Sequence, residues 1–179
     1  MPESVADTHI RGFQEAFSWL RRPELVSVAA VQGHAIGAGF QLALACDLRV
    51  LADDAQLSMA ETTLGLVPDL GGTAPLVEFA GYARALEICL TGRRVGAEEA
   101  LRIGLATVVV PVAELAGATA DLVAAVLAAP AGAVTETKAL LLRAAAGLAP
   151  GGRDGQEQAE RTAQIRRLRA LAAAFAATP

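Results

Sequence analysis

The sequence predicts an α/β protein, with a strand-and-helix core over residues 1–111 and a helical lobe over residues 112–179. Three observations predict it. Short apolar runs bounded by Gly or Pro, such as residues 26–31, read as buried strands and alternate with helical stretches as far as Pro111. From Val112 onward the pattern is alanine-rich and helical throughout. A strand-plus-helix unit recurs, over residues 26–46 and again over 48–90, which points to a repeated architecture without an exact sequence repeat.

Each element has its own local reason. Residues 7–22 read as an amphipathic helix with Ile10, Phe13, Phe17 and Leu20 on one face, Asp7 or Thr8 as its cap and Pro23 as its stop. After the strand at 26–31 comes a glycine-rich loop at 33–39, then a helix at 40–46. Two short strands, 48–51 and 56–59, flank a turn at 52–54. The stretch 62–72 holds too much Gly and Pro to be one regular element. Helices follow at 72–80 and 82–90, then a connection at 91–95, a helix at 97–103 closed by Gly104, and a strand at 106–110. The lobe reads as helices at 112–127, 134–146 and 156–175, with a loop at 147–155.

Composition narrows the function. Of 179 residues, 54% are hydrophobic and 19% charged, enough apolar surface for a core and against intrinsic disorder. A net charge of -4 with no basic stripe argues against a nucleic-acid partner. Mean hydropathy is +0.43, yet no uninterrupted apolar run nears the ~20 residues of a membrane-spanning helix, so no membrane partner is expected. The N-terminus lacks a basic n-region and an apolar h-region, so no signal peptide is expected. Cys46 and Cys89 each sit in an apolar segment and read as reduced, buried thiols, which fits a cytoplasmic protein.

Chemistry concentrates in two places. A strand feeding a helix through Gly37-Ala38-Gly39 leaves free backbone N–H groups at a helix N-terminus, where negative charge is attracted. There is no Gly-Lys-Ser/Thr and no G-x-G-x-x-G spacing, so neither a P-loop nor a dinucleotide fingerprint is present. Two readings stay open for this segment: an oxyanion donor, or a tight structural turn. The second place is Glu61, directly after a strand, with Asp69 eight residues later in the same irregular loop. In one apolar pocket the two acids would repel, and one would be poised as a base. The other reading is two solvated loop acids. His34 lies in the glycine loop and His9 on the first helix, and with no third ligand near either, no metal site is expected. Arg166, Arg167 and Arg169 form a basic cluster that reads as a solvated helix face, or else as a contact for a phosphate or another subunit.

Residues 29–39, then Leu42-Ala43-Leu44-Ala45-Cys46-Asp47, resemble the signature of the crotonase (enoyl-CoA hydratase/isomerase) superfamily. The resemblance continues through Ala55-Gln56-Leu57, Glu61, Leu64-Gly65-Leu66-Val67-Pro68, Gly71-Gly72-Thr73, Leu90-Thr91-Gly92-Arg93 and residues 97–105. It covers about residues 8–145 and is specific, because several spaced motifs agree in order. It implies a partial crotonase-like spiral of strand-strand-helix repeats with a C-terminal helical lobe. It implies acyl-CoA thioester substrates, coenzyme A being part of the substrate with no separate cofactor, and a homo-trimer or hexamer. By position, Ala38 N–H matches one of the two main-chain donors that hold the thioester oxygen. Gly37, Gly39, Leu64 and Pro68 fall where the family binds substrate.

Three departures shape the expected activity. The family's N-terminal strands, with the other oxyanion donor and most contacts to the CoA adenine, have no counterpart in this sequence. Family hydratases use two glutamates; Glu61 matches one, and the other position is Gln41, a neutral amide that can orient a water but cannot be its base. Asp69 falls where typical hydratases have glycine, which resembles the dienoyl-CoA isomerase branch, although that branch's further aspartate has no match near Gln41. The expected catalytic set is therefore Glu61, Asp69 and Gln41, and the expected reaction a double-bond shift by proton transfer. The alternatives are an enoyl-CoA hydratase, or a truncated non-catalytic member acting as an assembly partner.

Overall fold

The structure, a computed structural model, describes residues 2–145, 147 and 152–176. Its described residues group into two compact units, residues 1–123 and 124–179. Pro111 marks the end of the last strand, and the units divide later, inside a helix.

The first unit holds two three-stranded sheets. β1 (Val28–Val31), β3 (Leu48–Ala52) and β6 (Val108–Val110) form an all-parallel sheet in the order β1-β3-β6. β2 (His34–Ile36), β4 (Gln56–Ser58) and β5 (Val95–Gly96) form the second, with β2 and β4 parallel and β5 antiparallel to β4. Each strand pair in sequence thus gives one strand to each sheet: Val28 pairs Leu48 in one, and His34 pairs Gln56 in the other. The corners stack too. Gly33, at φ 64°, donates its N–H to Asp54 and accepts from the N–H of Gln56. This is the expected spiral of strand-strand-helix repeats.

The helices close the spiral. α1 is Glu3–Ser18, α2 Ala38–Ala45, α3 Thr73–Ala80, α4 Tyr82–Thr91 and α5 Ala97–Arg102. Phe40, Leu44, Leu51, Leu57, Met59, Leu76, Ile88, Val95 and Leu105 are fully buried in one cluster. Burying side chains of this size contributes roughly 1.5–3 kcal/mol each. No single helix among the described residues is long and apolar enough to cross a membrane.

Two local expectations are corrected. α1 begins at Glu3, not at Asp7 or Thr8, because those side chains are used inside the helix: Asp7 pairs with Arg11 at 3.0 Å and Thr8 donates to the Ser4 carbonyl at 2.8 Å. It buries no residue, and Phe13 on the expected apolar face is 60% exposed. The loop expected over 33–39 contains β2, a strand of three residues between two glycines, too short to show a period.

Arg93 locks α4 to α5. Its guanidinium donates to Glu87 at 2.5 and 2.9 Å and to Glu99 at 2.7 and 2.9 Å. These hydrogen bonds hold both carboxyls below the usual carboxylate range. Depressed carboxylates add stability that is present above their ordinary value of 4.5 and lost as pH falls through the folded value. Arg93→Met is expected to destabilise the protein at neutral pH and to lose less on acidification. The gap between the two melting temperatures should narrow from about pH 6 to about pH 3, by an amount worth ~1 kcal/mol or less, since the groups are solvent-screened.

In the second unit, α7 (Ala131–Ala145) packs on α8 (Gly152–Ala176), while α6 (Leu115–Leu127) runs across the divide. α8 starts four residues earlier than expected, taking in part of the predicted 147–155 loop; residues 148–151 of that loop lie outside the described residues. Arg166 forms a two-pronged pair with Glu136 on α7, at 2.6 and 2.8 Å.

Candidate active site

Gly37 sets the site. At φ 54° and ψ −118° it turns the chain from β2 into α2 in a conformation that side chains avoid. Its N–H donates to the Ser58 carbonyl at the end of β4, and its carbonyl accepts the first helical bond of α2, from the N–H of Gln41. The N–H groups of Ala38, Gly39 and Phe40 therefore have no acceptor within the helix. The N-terminal end of the helix dipole adds partial positive charge at the same place.

Glu61 comes to this point from the other repeat. Two residues after β4 it opens a 3₁₀ turn, Glu61–Leu64. That turn is tied to α4 by Thr62 Oγ1, which donates to the Cys89 carbonyl at 2.5 Å, and the end of β4 is tied to the residue after α4 by Ser58 Oγ, which donates to the Gly92 carbonyl at 2.7 Å. The carboxylate packs over the Gly37 backbone so closely that a Cβ there would lie 3.4 Å from Glu61 Oε1. Burial, reinforced by the charge of Glu61, pushes the neighbouring Cys89 thiol up, which keeps it protonated.

Gln41, on the first turn of α2 and 1% exposed, joins three segments. Its Nε2 donates to Glu61 Oε1 at 2.6 Å. Its Oε1 accepts from the N–H of Leu70 at 2.9 Å and of Gly72 at 3.2 Å. Glu61 Oε2 is buried and has no hydrogen-bond partner among the described residues. Gly72 is glycine for lack of room, since a Cβ would sit 2.7 Å from Gln41 Cγ. Gly72→Ala is expected to destabilise by ~1–3 kcal/mol, read as a lower denaturant midpoint at constant m-value.

The other expected residues are placed as follows. Asp69 is half-buried in the same loop as Leu70, and its carbonyl accepts from Gln14 Nε2 at 2.7 Å; no hydrogen bond joins its carboxylate to Glu61 among the described residues. Leu64 is 75% exposed, Pro68 is half-buried and Gly39 is exposed. His34 is on β2 and exposed, not in a loop. Reading the sequence missed Gln14, for which no local pattern exists, and gave Gly72 as part of a family motif without its contact to Gln41. A cleft of about 580 Å³ in the second unit, lined by Glu136, Arg143, Thr162 and Arg166, shares no residue with the Glu61 cluster.

Known proteins share this fold. A Thermobifida fusca protein assigned as an enoyl-CoA hydratase, solved in complex with CoA, superposes with a TM-score of 0.90 at 54% identity, over 96% of this chain and 66% of that one. An enoyl-CoA hydratase from Bacillus anthracis superposes with a TM-score of 0.83 at 31% identity, over 97% of this chain and 68% of that one. Carnitinyl-CoA dehydratase of Escherichia coli K12 is 51% identical over 88 residues, 49% of this chain and 34% of that protein. The chain thus spans about two thirds of the solved relatives and matches about a third of the curated one. With residues 3–164 matching the sequence model of the enoyl-CoA hydratase/isomerase family, and the crotonase fold around Glu61 and α2, the chain belongs to that family.

Proposed function

We propose that the protein catalyses double-bond isomerisation of acyl-CoA thioesters. The observation that carries this reading is the carboxylate of Glu61, packed against the N-terminus of α2 with one oxygen buried and unpartnered. The Ala38 N–H would hold the thioester oxygen, an interaction typically worth ~3 kcal/mol as the enolate develops. Holding that oxygen acidifies the carbon next to the carbonyl. Glu61 removes a proton there and returns it further along the chain, so that an unconjugated double bond becomes conjugated. Asp69 is a second acid/base on the same loop. Gly37 and Gly39 let the substrate approach the main chain, and Leu64 and Pro68 offer apolar surface to the acyl chain. Coenzyme A belongs to the substrate, and the relative solved with CoA supports an acyl-CoA ligand. The expected assembly is a homo-trimer or hexamer in the cytoplasm.

Hydration is the second reading, favoured by the names of the relatives. Against it stands Gln41. Its carbonyl is used by two amides and one N–H by Glu61, which leaves a single N–H and no second base beside Glu61 at this position. The test is direct competition. With 3-enoyl-CoA the protein should form the conjugated 2-enoyl thioester, at a rate at least about tenfold above hydration of 2-enoyl-CoA. Hydration as the faster reaction would refute the isomerase reading, and no thioester binding by calorimetry would favour a non-catalytic assembly role.

A further inference from the structure

We infer that Gln41 is a positioning residue that decides which oxygen of Glu61 carries the proton, an inference that rests on the isomerase reading. The side-chain amide has two chemically different ends, and the fold assigns them. Leu70 and Gly72 point N–H donors at one end, and only a carbonyl can accept both. The NH₂ end is thereby turned to Glu61, whose Oε1 it meets at 2.6 Å. Flipping the amide would set NH₂ against two donors and a carbonyl against a carboxylate. At 1% exposure no water rescues that arrangement.

A charge-assisted hydrogen bond of this length pins Oε1 and lowers its basicity relative to the other oxygen. Oε2, buried and unpartnered, is the oxygen left to act as base. In the transfer Oε2 takes the proton from the carbon beside the thioester carbonyl, and the C–H electron pair moves into the enolate. The same proton then passes from Oε2 to the far allylic carbon as the double bond shifts. Glu61 ends as the carboxylate it began as, so no further reactant is needed. A carboxylate pivoting on one fixed oxygen reaches both carbons without leaving the site. Gln41 supplies the pivot and touches no reacting atom.

Two variants separate the donor from the loop clamp. Gln41→Glu keeps an acceptor for the Leu70 and Gly72 amides and donates to Glu61 only while the new carboxyl pair shares a proton, whereas Gln41→Met removes donor and acceptor at every pH. Gln41→Met is expected to lower kcat for 3-enoyl-CoA isomerisation by about 10- to 100-fold with KM within about threefold, and Gln41→Glu to fall toward the same level as rising pH removes the shared proton. If Gln41→Met kept the wild-type kcat, or changed KM alone, the donor to Glu61 would not position the base, and the inference would fall with the base assignment intact. If Glu61→Gln kept its activity, the isomerase reading itself would fail. A readout independent of turnover and of variant folding at Gln41 is the side-chain amide resonance in ¹⁵N-labelled protein. One Gln41 Nε2 proton should be downfield and slow to exchange, and should return to an ordinary position in Glu61→Ala. An ordinary resonance, indifferent to Glu61→Ala, overturns the inference whatever the activity.

Discussion

Glu61→Gln should lower the rate of 3-enoyl-CoA isomerisation by about 100- to 10,000-fold, the usual worth of a positioned general base. That corresponds to about 3–5 kcal/mol of barrier. The substitution is nearly isosteric, and the surroundings dictate how it sits. Gln41 offers a donor at 2.6 Å, so the introduced amide must turn its carbonyl to Gln41. Its NH₂ then occupies the place of Oε2, the buried oxygen with no partner. A hydrogen-bond donor replaces the base at the one position where a proton has to be accepted. Geometry is kept and basicity is lost. Stability should change little, because the lost charge at the N-terminus of α2 is worth roughly 0.3–1 kcal/mol. Stopped-assay kinetics with circular dichroism across the melt separate the two effects. A variant retaining more than about a tenth of wild-type kcat would mean that another group, Asp69 first, removes the proton.

The parts of this site that sequence reading reaches are those with local causes. Glu61 lies just past a strand, and Ala38 sits between glycines at the start of a helix, so both are visible from neighbours in the chain. Gln41 is different. Its two acceptor contacts come from Leu70 and Gly72, separated by 29 and 31 residues, and its donor contact from Glu61, separated by 20. The sequence marks the residue as a departure from the two-glutamate pattern; only the fold reveals what it holds. Asp69 shows the converse. Spacing suggests a carboxylate pair with Glu61, whereas the loop is fixed by its main chain, through Gln14 and Gln41. At the level of elements, the alternation of apolar runs and glycines gives the parallel strands, most clearly β3, which is buried along nearly its whole length. β2 escapes because three residues cannot display a period. The face of α1 is periodic in sequence but packs on nothing within the first unit deeply enough to bury a residue, since periodicity states which side is apolar and not what covers it.

Arg49→Ala should cost about 3 kcal/mol or more, a larger stability loss than that expected of Gly72→Ala or Arg93→Met. Arg49 stands on β3 at 3% exposure, an arginine inside an apolar strand. Its Nε donates to the Leu105 carbonyl at 2.7 Å, and one terminal nitrogen donates to the Cys46 carbonyl at 2.7 Å and the Ala43 carbonyl at 3.4 Å. The guanidinium carbon lies 4.2 Å from the centre of the Phe79 ring. Burial pulls its affinity for the proton down, but arginine starts so high that it stays charged at every pH the fold survives. The charge is tolerated because it meets the carbonyl end of α2, where the helix dipole is negative. Truncation to Ala removes the donors, strands those carbonyls away from water and opens a cavity. Arg49→Met separates the contributions, since it refills most of the volume and restores no donor. If the carbonyl contacts dominate, Arg49→Met stays within about 1 kcal/mol of Arg49→Ala in urea denaturation; if packing dominates, it recovers most of the loss. Glu61 packs over Gly37 at the opposite end of the same helix. Loosening its C-terminus therefore also predicts a lower kcat in the surviving folded protein, with the base itself untouched.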